Sequence, residues 1–255
     1  CKLTIRSVLF CPYAGDEMRR LQSKRRKETH PNPCLTGAGA SHCLEGIILT
    51  QANVIWYGHS CFMIELAGST IVLDPYGVSS VPGLRLPDLN ADAVHVSHGH
   101  TDHGAVERVL TSGKPLNFRV REVMGDHDHH SGAHRGKNRI LVIEHDGLRL
   151  VHLGDQGCVL TQKQIEAIGH PDLLMLPVGG YFTIDAAEAK QIMDQLQPNV
   201  TVPIHYRDGA IGFDVLSTVD EFLALVDVPV VRSEGRQFTI TEGMPRQVLI
   251  PKLVH

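Results

Sequence analysis

Ser97-His98-Gly99-His100-Thr101-Asp102-His103 follows directly on a short apolar run at residues 93–96. Three histidines and one aspartate fall within the six residues from His98 to His103. A loop leaving the end of a strand can turn several side chains toward one point. Imidazole nitrogens and carboxylate oxygens are the donors that a zinc-type ion binds. Buried together without a cation, these groups would be desolvated at high cost. The competing reading is a His-rich surface loop, which the strand just before the cluster disfavours.

Working outward, residues 53–57, 61–66 and 69–74 read as short strands, with Ala67-Gly68 as a hairpin turn. Residues 138–144 and 148–153 form a second hairpin around Asp146-Gly147. Residues 161–168 suggest a helix with Thr161 as its N-cap, and 173–177 a strand. Residues 185–196 read as a helix with an acidic start and apolar spacing at Ala189, Ile192, Met193 and Leu196. A strand at 200–203, a helix at 218–226 and β-structure at 230–232, 237–241 and 247–250 complete the chain. Early strands followed by a strand–helix series suit two sheets flanked by helices.

His98-x-His100-x-Asp102-His103 resembles the signature of the metallo-β-lactamase superfamily. Other segments resemble that family in its order. Trp56-Tyr57-Gly58-His59-Ser60-Cys61-Phe62 with Leu73-Asp74-Pro75 is similar to its opening strands. Gly125-Asp126-His127-Asp128 with His134-Arg135-Gly136-Lys137-Asn138 is similar to the loop carrying its third histidine. His152-Leu153-Gly154-Asp155 and Pro203-Ile204-His205-Tyr206 are similar to its last two motifs. The resemblance runs from about Asn53 to Arg207 and lies nearest the uncharacterised zinc-dependent hydrolases of the lactonase and phosphodiesterase branches. It implies an α/β fold, a four-layer αβ/βα sandwich. It also implies two divalent metal ions, zinc first and manganese or iron as alternatives. His98, His100 and His127 would hold one ion, Asp102, His103 and His205 the other, and Asp155 would bridge them. A metal-activated hydroxide would then cleave an ester, lactone, phosphodiester or similar bond.

The residues themselves leave several roles open. Asp102 is a candidate proton acceptor as well as a ligand. A neighbour such as His129, His130 or His152 competes with His127 for the ligand role. His152 reads equally as a hydrogen-bonded core histidine, and Asp155 as an ordinary turn aspartate. Asp74 would orient a ligand histidine or cap a turn. His59 faces substrate or makes a structural hydrogen bond. Tyr206 stabilises an oxyanion or only packs. Gly179-Gly180-Tyr181-Phe182-Thr183 lines the cleft or merely joins a strand to a helix.

Composition narrows the function further. Residues 1–45 carry eight Lys/Arg against four acids, so residues 46–255 carry 16 against 24, a formal −8. That balance disfavours a nucleic-acid partner and favours a small-molecule substrate. A nucleic-acid phosphodiesterase of the same fold, a non-hydrolytic metal-binding domain and redox use of iron are the alternatives. Residues 1–50 read as a basic N-terminal extension, disordered or non-native, ahead of a hydrolase domain at 51–255. No apolar run reaches the roughly 18 residues of a membrane helix. No Cys-x-x-Cys pair occurs among the six cysteines, and a disulfide framework is open only to the first four. A cytoplasmic protein with reduced thiols is expected.

Overall fold

The computed structural model describes residues 50–253, so the basic segment before Thr50 and its four cysteines lie outside the described residues. The chain starts with an antiparallel meander: β1 (Gln51–Gly58), β2 (Cys61–Leu66) and β3 (Ser69–Leu73). The β2–β3 turn is Ala67-Gly68, both at positive φ, which matches the right-handed twist of a two-residue hairpin. Strand β5 (Ala93–His95) adds parallel to β3, and β13 (Gln237–Thr241) closes the other edge against β1, giving the order β13-β1-β2-β3-β5.

Period-two alternation then sorts the side chains of this sheet. Val54, Trp56, Phe62, Ile64, Ile71 and Leu73 face the main core. Cys61, Met63, Val72 and Val94 face the opposite side. There they meet Tyr76, Val81 and Leu86 and the two-stranded ribbon of β4 (Leu89–Ala91) and β6 (Val109–Thr111).

The second sheet has the order β12-β14-β11-β10-β9-β8-β7. Its antiparallel part is β7 (Arg119–Asp126), β8 (Lys137–His145) and β9 (Leu148–His152). Its parallel part is β10 (Leu173–Pro177), β11 (Val200–Ile204), β12 (Val230–Arg232) and β14 (Gln247–Ile250). Parallel neighbours need crossovers, and helices supply them. Between the neighbours β9–β10 and β10–β11 these are α1 (Gln162–Ile168) and α2 (Ala186–Leu196), while α3 (Val219–Leu223) leads from β11 to the edge strand β12. Thr161 and Asp185 close capping boxes at the starts of α1 and α2. Helix α2 buries Ala189, Ile192, Met193 and Leu196, the expected stripe.

The outcome is the expected α/β sandwich of two sheets. Its helices cover the seven-stranded sheet, while the outer face of the five-stranded sheet is covered by the 76–86 segment and the β4–β6 ribbon. Strand β7 is absent from the sequence reading because its side chains do not alternate cleanly. It is an edge strand of mostly exposed or half-buried residues, and Arg121 pairs with Glu144 across the ladder. Among the described residues no helix is long and apolar enough to cross a membrane.

Candidate metal centre

Each chemistry-bearing residue follows the C-terminal end of a strand: His59 after β1, Asp74 after β3, His98 to His103 after β5, His127 after β7, Asp155 after β9 and His205 after β11. Loops at the carboxyl ends of strands are where an α/β sheet places ligands. His59, Asp74 and His205 adopt left-handed backbone, with φ of 52°, 45° and 54°. Asp and His tolerate this region better than most residues, at a cost on the order of 1 kcal/mol or more each. Glycines allow close approach between these loops. A Cβ at Gly179 would lie 2.0 Å from the His205 carbonyl oxygen, and one at Gly154 2.4 Å from Ser97 Cβ.

Two groups of donors form. The ligand atoms of His98, His100 and His127 lie within 4.8 Å of one another, as do those of His59, Asp102, His103 and His205. His98 Nε2 and His100 Nδ1 face each other at 3.0 Å. Ligand atoms about 2.05 Å from one tetrahedral ion stand about 3.3 Å apart, so this spacing suits a shared ion. The Asp155 carboxylate sits between the groups. It lies 3.8 Å from His98 Nε2, 3.1 Å from His103 Nε2, and 3.3 Å from both His127 Nε2 and His205 Nε2. Yet His103 Nε2, His205 Nε2 and Asp155 Oδ1 are buried without a hydrogen-bond partner. Buried polar atoms that converge without bonding to one another fit a site built for cations.

Hydrogen bonds around the cluster fix its orientation. Asp74, fully buried, accepts from Ser97 N and Ser97 Oγ at 2.6 Å each, and His103 Nδ1 lies 2.9 Å away. This is the ligand-orienting geometry expected of a carboxylate behind an imidazole. Asn138 accepts from Asp155 N at 3.1 Å and donates to Leu153 O at 2.8 Å, which pins the 153–155 turn. His59 Nε2 lies 3.3 Å from Asp102 Oδ2, and the His59 carbonyl accepts from the Trp56 indole. The His59 and His205 rings are 4.1 Å apart.

The competing histidines settle elsewhere. His152 donates from Nε2 to Ser60 O at 2.8 Å and accepts the Gly154 N–H at Nδ1, so both ring nitrogens are engaged. His129 pairs with Glu188, and the His130 ring lies tilted 4.5 Å from that of His134. Tyr206 is not brought to the cleft. The residue after His205 points to the other side of the chain, and its ring packs 6.1 Å from Trp56 in the main core. Burial raises its hydroxyl pKa. Of the two readings of Tyr206, the geometry fits packing and gives the oxyanion role no basis. Cys61 is buried and Cys158 half-buried, and both are free thiols.

Burial lowers the pKa of His59 to about 4 and that of His98 to about 3, with neighbouring imidazoles adding to the effect. Burial also opposes charge on His103, but Asp155 and Asp74 outweigh it and hold His103 well above the usual histidine range. Burial would push Asp102 up, yet His59 and His103 hold it well below the usual carboxylate range.

These shifts have opposite signs for stability. His59 and His98 contribute stability that is present above about pH 6.5 and lost as pH falls through about 4 and 3. His103 contributes stability that is full below about pH 6.5 and lost as pH rises through its raised pKa. Chelator-treated protein is thus expected to be most stable near pH 6.5. Denaturant midpoints measured from pH 4 to pH 9 check this, and a midpoint climbing steadily across that range would contradict it.

A cleft of about 500 Å³ opens onto the cluster, lined by Ser80, His100, Asp102, His127 and Asp155 together with Arg135, Phe182 and Phe213. Phe182 brings the Gly179–Thr183 connection into the cleft, as one of its two readings held. Phe213 left no sequence signal, since it is a lone aromatic in an aperiodic segment. A larger cavity of about 780 Å³ lies elsewhere, near Tyr57, Tyr76 and Arg236. It contains none of the clustered donors, so size alone does not locate the chemistry.

Comparison with known proteins agrees with the geometry. A family model described as a beta-lactamase superfamily domain matches residues 53–205. A UPF0173 metal-dependent hydrolase of Thermoplasma volcanium is 26% identical over 198 residues, 65% of this chain and 86% of that protein. The crystal structure of a candidate zinc-dependent hydrolase of the metallo-beta-lactamase superfamily from Thermotoga maritima matches with TM-score 0.61 and 34% identity, covering 78% of this chain and 98% of that one. The metallo hydrolase Igni18 of Ignicoccus hospitalis, at TM-score 0.54 and 23% identity over 74% of this chain and 98% of its own, shares the fold.

Proposed function

The chain belongs to the beta-lactamase superfamily as a metal-dependent hydrolase, and on that premise we propose that it binds two divalent ions, zinc first, and hydrolyses an ester, lactone, phosphodiester or similar bond of a small molecule. The observation that carries the proposal is the position of Asp155, within 3.8 Å of histidines from both donor groups. His98, His100 and His127 hold one ion and Asp102, His103 and His205 the other, with Asp155 shared. A donor set of five imidazoles and two carboxylates suits zinc, and manganese or iron are the alternatives that elemental analysis separates. Bound ions supply Lewis-acid polarisation of the substrate and activation of water.

The chain's own residues do the rest. Asp74 holds the His103 ring through Nδ1 and leaves Nε2 facing the cluster. His59, neutral above about pH 4, donates to Asp102 and fixes the carboxylate at the cleft floor. Asp102 is 17% exposed and reaches the cleft. Its lowered pKa keeps the carboxylate charged, as a ligand facing the cleft requires. Phe182 and Phe213 exclude water from one wall and give an apolar substrate body a surface to lie on. The formal −8 of residues 46–255 supports a small-molecule partner over nucleic acid.

Elemental analysis of purified protein is expected to find about two ions per chain. Chelation should abolish hydrolysis of an ester, lactone and phosphodiester panel, and added zinc should restore it. His98→Ala should lose about one ion, because one of three histidine donors is gone. If that variant keeps both ions, the assignment is wrong. Full metal occupancy with no turnover of any substrate class would favour a non-hydrolytic metal-binding domain.

A further inference from the structure

Arg135 stands at the cleft with no acidic partner among the described residues. Its guanidinium carbon lies 5.3 Å from the centre of the Phe182 ring and 5.9 Å from that of Tyr181. Cation–π attraction to the rings holds a guanidinium in place without using its N–H groups, which stay free to donate.

The loop beneath is equally constrained. Asp128 accepts four backbone N–H bonds, from His130, Gly132, His134 and Arg135, at 2.7 to 3.0 Å. Asp128 also follows His127 directly, so the loop that aims Arg135 is the loop that places a clustered histidine. The neighbouring acids are already engaged: Asp128 by those amides, Glu188 by His129, and Asp126 by Lys137. Opposite Arg135, the cleft lining carries only Asp102 and Asp155, both of which belong to the donor cluster. An arginine packed against aromatic rings, half-buried and uncompensated on the wall of a reaction cleft is arranged to receive an anion.

We infer that Arg135 selects substrates bearing an oxyanion, a carboxylate or phosphate group near the scissile bond, with an apolar portion resting against the wall that Phe182 and Phe213 form together. The Phe182 and Phe213 rings are 5.6 Å apart and meet edge to face. Arg135 is thus the specificity-determining residue of the cleft, and the substrate's anion docks on its N–H edge while the bond to be cleaved lies over the His/Asp cluster. This inference rests on the hydrolase reading, and the experiment separates the two.

Purified metal-loaded protein and its Arg135→Gln and Arg135→Lys variants are compared on two esters of similar size, neutral p-nitrophenyl butyrate and anionic mono-p-nitrophenyl succinate. Arg135→Gln is expected to lose at least tenfold more kcat/KM on the anionic ester than on the neutral one, mainly through KM. Arg135→Lys should recover only part of that loss, because an ammonium cannot make the bidentate contact. Equal losses on both esters would mean that Arg135 only braces the loop, and would overturn the inference.

A second readout does not depend on turnover. Calorimetric titration of chelator-treated protein with phenylphosphonate should show binding to the wild type, weakened at least tenfold in Arg135→Gln. Equal affinity, or no binding to the wild type, overturns the anion site. Failure of both esters in the wild type, with phenylphosphonate binding still dependent on Arg135, instead overturns the esterase side of the functional reading. Unchanged metal content and melting temperature in the variants confirm that the comparison is made on folded protein.

Discussion

Asp155→Ala is expected to strip the protein of most of its metal and to lower hydrolysis by about a thousandfold or more, equivalent to about 4 kcal/mol of transition-state stabilisation. The carboxylate is buried and lies within 3.8 Å of four imidazoles, two from each donor group. Removing it leaves two cations to repel each other with one carboxylate, Asp102, to offset them. Both sites should weaken together, so the ion count falls from about two to below one instead of by a single step. Asp155→Asn preserves size and shape but not charge, and it should fail similarly, since a neutral amide cannot offset the second cation. Elemental analysis of both variants after dialysis, beside kcat for the best substrate, makes the comparison. Two ions retained in Asp155→Ala would remove the shared-carboxylate reading.

Asp74→Ala is expected to act chiefly on stability. This residue never faces the cleft, but it is fully buried and receives Ser97 N, Ser97 Oγ and the His103 ring. Burial works against its charge, and the imidazoles of His152 and His103 with the Ser97 hydroxyl more than offset that and hold its pKa down. Deleting it leaves the Ser97 N–H and the His103 Nδ1 without a partner in a dry interior, and Ser97 Oγ with only His98 Nδ1. Breaking a buried charged network in this way costs about 3–5 kcal/mol. At roughly 2–4 °C per kcal/mol for a domain of this size, melting should fall by about 6–20 °C. His103 also loses the group that sets its tautomer, so metal affinity should drop by about 10–100-fold. Calorimetric melting of the chelated and loaded forms reads the two effects separately. A variant that melts with the wild type in both forms would show that the network is dispensable.

Much of this fold was written in local patterns. Strands β2, β10, β12, β13 and β14 begin and end where alternation and turn residues place them, and the capping boxes at Thr161 and Asp185 sit where the periodic apolar stretches begin. Strand β7 escaped because an edge strand has no buried face to impose alternation. The short β4 and β6 escaped because three residues cannot show a period. At the site, the donors of the 98–103 segment were legible because spacing within one loop survives without tertiary context. The roles of Asn138 and Arg135 were not, and Asp74 stayed open between orienting a histidine and capping a turn, because each depends on a partner brought near by other parts of the chain: Asp74 on His103, Asn138 on Asp155, Arg135 on Phe182.

The sequence by itself determined which residue types are available and at which strand ends they stand: His98, His100, Asp102 and His103 after one apolar strand, with His127, Asp155 and His205 after others. Only the tertiary structure decided which histidines among the described residues turn inward together. His152 and His205 both follow or end apolar strands. One is engaged by the Ser60 carbonyl and the Gly154 amide, and the other meets Asp155. A hydrogen-bond partner from a distant strand is invisible along the chain, and it is that partner which makes one imidazole structural and leaves the other free to ligate.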